Sequence, residues 1–405
     1  MRRFKLSLLA TSLSALVVSS TSFAGAFQFY ELGTPIIGTA GVGQAAVAND
    51  ASTSYFNPAG MAQLPSSEYM LGSQLILPYN SFSKSSRTTF TGDNGGNAGG
   101  LVPGMTLYYV YNYSPKVKLG VSLNSPYAGG LNYDNGWAGR YFVQNITFYT
   151  VNLNPSISYL VNPWLSVGAG VDIEYANLSE EIALPIPDQP DGQADIKTDN
   201  FASGGNIGVM LTPYKTTKIG ATFRSRITHN LRGNTTFARI PDSPSTSVGM
   251  VMPQNIIISI DQAVTNKFSL LGEVGWAAWS SMKDTVLHVD NYSLSVPRKW
   301  NDTYRLGLAG QYHYTQNLLL QLGGSFDSSP TNASHRLPDL PMDRQIRLGA
   351  GLMYAMTKAV QLGFSYEYIN FGHANINQNT PIGALVGSYE RNYGNVAQFS
   401  INVAV

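Results

Sequence analysis

Apolar and polar residues alternate with a period of two along most of this chain. In "LSVGAGVDIEY", Leu165, Val167, Ala169, Val171, Ile173 and Tyr175 share one face, while Ser166, Gly168, Gly170, Asp172 and Glu174 share the other. "VKLGVSLN" sets Val117, Leu119, Val121 and Leu123 on one side, and "VQLGFSYEY" does the same with Val360, Leu362, Phe364, Tyr366 and Tyr368. The final residues, "YGNVAQFSINVAV", alternate up to Val405. The pattern predicts about fourteen half-buried strands: 67–82, 101–113, 117–126, 142–161, 164–178, 199–212, 217–231, 247–261, 267–280, 301–314, 318–328, 342–356, 359–371 and 392–405.

The links between these strands alternate in length. Short turns such as 114–116, 162–163, 213–216, 315–317 and 357–358 interleave with long links at 83–100, 127–141, 179–198, 232–246, 281–300, 329–341 and 372–391. Short turns on one side and long loops on the other are the asymmetry of an outer-membrane barrel. A soluble sandwich has no need for link length to follow strand parity. The fold class expected is therefore all-β, a transmembrane antiparallel β-barrel of about fourteen strands in the bacterial outer membrane. Lipid accepts charge only at high cost, so Asp172, Glu174, Arg224, Arg226, Glu273, Arg305, Arg347 and Glu367 are expected to face the lumen. Most of them should pair with one another. Arg305 and Arg347 are the candidates for contact with an anionic head group, because a guanidinium fork suits a carboxylate.

Composition agrees with a barrel. Charged residues are only 12% of the chain, with 40 glycines and 24 tyrosines, and mean hydropathy is -0.06. No stretch after the N-terminus approaches 18 uninterrupted apolar residues, so no transmembrane helix is readable. The N-terminus, with Arg2, Arg3 and Lys5 before "LSLLATSLSALVVSS" and "TSFAG", reads as a signal peptide at 1–24, with cleavage after Ala26 as the alternative. Its removal takes the formal charge from +1 to -2, which gives no case for nucleic acid. The chain has no cysteine, so neither disulfide nor thiolate chemistry is available.

Residues 25–66 break the strand rhythm. They hold "GTAGVGQAAVAND" and then "ASTSYFNPAGM", too apolar for a solvated tail. A barrel offers one place to bury such a segment, its interior. The expected division is a leader at 1–24, an N-terminal hatch at 25–66 and a barrel at 67–405. Asn57-Pro58 should set a rigid turn in the hatch.

Five stretches resemble the outer-membrane family of hydrophobic-compound transporters typified by the bacterial long-chain fatty acid transporter. They are "GAFQFYELGTPIIGTAGVGQAAVANDASTSYFNPAGM" at 25–61, "KLGVSLNSPYAGGLNYDNGWAGRY" at 118–141, "TVNLNPSISYLVNPWLSVGAGVDIEYAN" at 150–177, "WNDTYRLGLAGQYHY" at 300–314, and "RLPDLPMDRQIRLGAGLMYAMTKAVQLGFSYEYI" at 336–369. The resemblance implies a barrel closed by a hatch. It assigns Asn57, Pro58 and Ala59 to the hatch motif, facing an inward kink in the third strand. It places Phe27 at the high-affinity site, where simple packing against the hatch is the competing role. The kink would fall within 117–126, where Gly120 and Pro126 are the candidates to interrupt pairing. Loops such as 179–198 would form an outer groove, with Ile182 to Ile186 as its apolar part. The chain ends in Val405 where the family ends in Phe, which weakens the expected assembly signal.

The expected function is passive uptake of long-chain fatty acids or similar hydrophobic compounds, with lateral release through the barrel wall. Neutral aromatic hydrocarbons are the alternative substrate, and a hydrophilic porin the more distant reading. Expected partners are the lipophilic ligand, outer-membrane lipids and lipopolysaccharide, with the barrel present as a single copy. No cofactor or metal is expected. Enzymatic function is disfavoured: His229, His288, His313, His335 and His373 show neither H-E-x-x-H spacing nor a G-x-S-x-G partner.

Overall fold

A computed structural model describes residues 27–186, 188–238 and 243–405; the expected leader lies outside them. The first half of the barrel is built from β1 (Glu68–Lys84), β2 (Val102–Tyr111), β3 (Val117–Asn124), β4 (Ala128–Asn132), β5 (Asn145–Asn162), β6 (Leu165–Leu184) and β7 (Gly192–Tyr214). It continues with β8 (Thr217–Arg224), β9 (Ile227–Phe237), β10 (Ser245–Met252), β11 (Asn255–Ala263), β12 (Phe268–Ala277), β13 (Asp284–Val289) and β14 (Tyr292–Pro297). The last quarter is β15 (Thr303–His313), β16 (Leu318–Asp327), β17 (Gln345–Ala355), β18 (Val360–Asn370), β19 (Ala374–Thr380) and β20 (Gly383–Ala404). Every neighbouring pair is antiparallel, and β1 pairs with both β2 and β20, so the sheet closes.

Three staves are interrupted once: β3 continues as β4, β8 as β9, and β10 as β11. The β13–β14 hairpin and β19 are additions above the wall. The wall itself has 14 strands, the number the alternation predicts. The long links are less irregular than expected. β6 runs to Leu184, β7 starts at Gly192, and a hairpin fills 284–297. Above the bilayer neither face of a strand meets hydrocarbon, so alternation fades while the hydrogen-bond ladder goes on.

Outward side chains follow the bilayer. Tyr111, Tyr159, Trp164, Tyr214, Tyr312 and Tyr354 are exposed near the short turns, and Tyr149, Phe201, Tyr304 and Tyr366 near the other rim. These are the two aromatic girdles of a membrane barrel, with exposed Leu, Ile and Val between them.

The lumen is filled by the N-terminal segment. Leu32, Ile37, Ala40, Val42, Ala45, Ala46, Ala51, Ala59 and Met61 are all at most 1% exposed, although they belong to no strand. The segment folds as two 3₁₀ turns, Pro35–Thr39 and Pro58–Gln63, around a short helix at Thr53–Phe56. Its small residues let backbone approach wall. A β-carbon at Gly208 would overlap Asn57 Oδ1, and one at Gly220 would overlap the Ala45 carbonyl.

Charge holds this segment in place. Arg305 donates to Glu273 (2.9 Å), Asp327 (2.7 Å) and the Ala40 carbonyl (2.6 Å). Arg347 donates to Glu31 (2.8 Å), to Gln345 (2.5 Å) and to Asp327. Glu273 in turn accepts from the Gly43 and Gln44 amides. The Tyr30 ring lies 4.0 Å from the Arg305 guanidinium and 5.0 Å from that of Arg347.

Candidate functional site: an apolar cavity beside a break in the wall

Proline cannot donate to a ladder, and Pro126 ends one. The third stave is interrupted at residues 125–127 between β3 and β4. Below the interruption β3 pairs with β2, Leu107 to Tyr111 meeting Leu123 to Leu119. Above it β4 pairs with β5, but among the described residues no ladder joins β4 to β2. The gap is met from inside by the start of the described chain. Phe29 N–H donates to the Pro126 carbonyl (2.9 Å), Ala128 N–H donates to the Phe27 carbonyl (3.3 Å), and Gln28 bridges Tyr127. Three N-terminal residues thus act as a short extra strand on the broken stave.

Phe27 delivers its ring into an aromatic shell. Trp279 lies at 5.1 Å, Phe148 at 5.3 Å, Tyr127 at 6.0 Å and Trp300 at 6.2 Å, all edge-on. Above this shell opens a cavity of about 700 Å3 whose walls include Phe27, Phe148, Leu178, Ile196, Met250, Leu287 and Trp300. Gly129, on the broken stave, lines it too, and a β-carbon there would meet open space. The cavity therefore extends from the external hairpin to the break in the wall.

One end of the cavity is polar, carrying Glu180, Arg298, Lys299, His335 and Asp339. Arg298 grips Asp339 with two nitrogens, at 2.9 Å and 2.6 Å, and donates to Thr285 at 3.0 Å. Glu180 stands on β6 beyond Tyr175, the partner of the girdle residue Phe201, and so above the bilayer. Burial pushes its carboxyl up to about 7, Asp339 adds to the rise and Arg298 opposes it.

The residues singled out in the sequence separate into groups. Phe27 lies at the cavity and Pro126 at the break. Gly120 does not interrupt pairing: it sits in regular register between Val110 and Ser156, where the lack of a side chain admits Met61. The Asn57-Pro58-Ala59 motif was expected to face the kink. It is seated instead against β5, β6 and β7, because Asn57 Nδ2 donates to the Ala45 (2.6 Å) and Val209 (3.1 Å) carbonyls while Ser158 and Ser166 donate to the Ala59 carbonyl. Arg305 and Arg347 are buried against the N-terminal segment with their carboxylate partners, and neither lines the cavity. Of the charges expected in the lumen, Arg226 alone is exposed, at the interruption between β8 and β9. Ile182 does line the cavity. The cations found there, Arg298 and Lys299, were missed. Their signal was "PRKW", two adjacent basic residues beside a Trp in a chain poor in charge.

A closed barrel with a filled lumen, an apolar cavity and an unpaired place in its wall defines a transporter of hydrophobic compounds in the outer membrane, not an enzyme. The chain belongs to the family described as outer membrane protein transport protein (OMPP1/FadL/TodX), whose sequence profile matches residues 15–404. It is 24% identical to a long-chain fatty acid transport protein of Escherichia coli O6:H1, over 89% of this chain and 90% of that one. Its fold is similar to the crystal structure of a Pseudomonas aeruginosa FadL homologue, with a TM-score of 0.86 at 20% identity, covering 94% of this chain and 100% of that one. The toluene transporter TbuX of Ralstonia pickettii superposes with a TM-score of 0.71 at 19% identity, over 94% and 99% of the two chains.

Proposed function

We propose that this protein takes up a long-chain amphiphile, with a long-chain fatty acid as the best match, and releases it sideways through the gap between β2 and β4. The observation that carries the proposal is one cavity whose lining brings Phe27 and Gly129 together with the cations Arg298 and Lys299. Its volume of about 700 Å3 suits a drug-sized or acyl-chain ligand, since such sites span roughly 300–1,000 Å3. Each buried methylene contributes about 0.8 kcal/mol, so capture of a long chain is favourable and release is the slow step. In this reading Phe27 to Phe29 act as the latch on the gap, and the rest of the N-terminal segment is the hatch. The barrel works as a single copy among outer-membrane lipids and lipopolysaccharide.

Neutral aromatic hydrocarbons are the second reading. The ring shell around Phe27 favours it, as does the engagement of Arg298 by Asp339. Binding of labelled oleate against labelled toluene separates the two. Tighter oleate binding that weakens about tenfold in Arg298→Ala is expected for the acid. Toluene bound more tightly than oleate, or oleate binding unchanged in Arg298→Ala, would overturn it. Gly129→Trp puts a large ring into the cavity beside the gap and should stop uptake; unchanged uptake would sink lateral release.

A further inference from the structure

Between the cavity and the N-terminal segment lies a layer of side chains that the transport reading has not used. The register of β5 and β6 orders the levels: Phe148 with Leu178 at the cavity, then Thr150 with Ala176, then Asn152 with Glu174, and lower still Ser158 with Gly168 beneath Ala59. Asn154 and Asp172 fall between the last two. At the Asn152 level, Glu174 is 3.0 Å from His229 Nε2, and His229 Nδ1 is 2.7 Å from Asn200. One step lower, the Asp172 carboxylate receives the amide nitrogens of Asn152 (3.1 Å), Asn154 (3.0 Å) and Asn206 (3.3 Å). Arg224 pairs with the same carboxylate and donates to the Tyr55 carbonyl at 2.9 Å.

Three amides that give their nitrogens to one carboxylate must turn their oxygens elsewhere. The oxygens of Asn152, Asn154 and Asn206, and the hydroxyl of neighbouring Ser122, have no hydrogen-bond partner among the described residues, and each residue is at most 4% exposed. An unmet buried acceptor costs on the order of 1–3 kcal/mol, so four together call for polar occupants, and water is the occupant of the right size and chemistry. The layer also reaches the exit. Ser122 pairs with Asn154 and Asn124 with Asn152, and Asn124 is the last residue of β3 before the break.

We propose that this asparagine-rich layer is a hydrated septum that steers the substrate, refusing an apolar chain from above and turning it into the gap beside Asn124. An alkyl tail pushed into the layer would displace water from amide oxygens and return no hydrogen bond, which is costly in a buried site. Asn152, Asn154 and Asn206 act as specificity-determining groups, with Asp172 and Arg224 as the residues that position them. The inference rests on the proposed sideways release and adds what makes that path the one taken.

The test uses the full-length protein in outer membranes and a fatty acid carrying a diazirine at its tail, with labelled peptides mapped by mass spectrometry. In the unaltered protein, labels should fall on Phe27 and the 128–132 segment and be absent from Asn154, Asn206 and Tyr55. Labels on those three would overturn the septum. In Asn152→Leu/Asn154→Leu, labelling around Tyr55 and Phe56 should rise about tenfold or more, with uptake falling as the chain is trapped. An unchanged labelling map in that variant would also overturn the proposal. If the double variant does not assemble, the arm with unaltered protein still decides. Gly129→Trp keeps the two ideas apart: normal uptake there would reject sideways release, while the labelling map alone judges the septum.

Discussion

The N-terminal segment behaves as two regions with opposite attachment. Residues 30–64 are tied to the wall by hydrogen bonds and ion pairs of Arg305, Arg347, Glu273 and Asn57, and their atoms lie against glycines of the strands. Phe27 to Phe29 are held by two backbone hydrogen bonds and by ring contacts. The difference teaches where motion belongs. Releasing the first region would bare several buried charges, whereas releasing the second breaks two backbone hydrogen bonds and exposes one ring with its edge-on contacts, worth about 0.5–1.5 kcal/mol each beyond area burial, and leaves no charge unpaired. Under the proposed function the stiff region is the seal, and the loose tripeptide lies at the cavity proposed for the ligand.

Breaking the stiff region should have the largest effect. Arg347→Ala leaves Glu31 and Asp327, both buried, short of a cation. Loss of one partner from a buried pair costs about 3–5 kcal/mol, so denaturant unfolding should shift markedly and ion conductance of the reconstituted barrel should rise as the lumen loosens. A variant with unchanged unfolding and conductance would show that the network does not hold the segment. Asn57→Ala comes next. It removes two donated hydrogen bonds and the Asn57 cap on the Ala59 amide, for an expected loss of about 2 kcal/mol in stability. Lost uptake with full stability would instead make Asn57 part of the gate.

Phe27→Ala probes the loose region and should give the reverse pattern. Its ring lines the cavity, so ligand affinity should fall about tenfold, or about 1.4 kcal/mol, with an unfolding shift smaller than that of Arg347→Ala. Equilibrium binding and unfolding on one preparation decide. A large loss of stability would mean that Phe27 is scaffold and that the contrast between the two regions is wrong.

The barrel was legible because lipid enforces it. A chain that must show apolar side chains outward and small or polar ones inward writes a period of two into its sequence, and the turn lengths then supply the orientation. The inner segment was legible by exclusion, since its apolar content had nowhere else to go. The cavity's polar end was not. Glu180 belongs to a strand extension above the bilayer, and Arg298 and Asp339 come from links where no period operates. Their convergence is set by the register of β6 and by the β13–β14 hairpin, which local patterns do not encode. Arg305 and Arg347 misled for a related reason. Alternation said that they face inward but not how far down, and at their depth the lumen is occupied by carboxylates of the wall and by Glu31.

The smallest effect expected concerns that polar end, and it sharpens the contrast by asking whether the site near the loose region responds to protons. The groups facing Glu180 are Asp339 and Arg298, with His335 and Lys299 on the same rim. A carboxyl raised to about 7 is neutral below that pH and ionised above it. Between pH 6 and pH 8 the cavity therefore gains a negative charge, and an anionic ligand should bind about threefold more weakly, on the order of 0.6 kcal/mol. Glu180→Gln is the check. It should bind a fatty acid as the low-pH protein does and flatten most of the pH response, whereas a response that persists in full would show that Glu180 is not its source. A neutral hydrocarbon should show no dependence in either protein, so a pH series with both ligands tests the substrate class together with the titrating group.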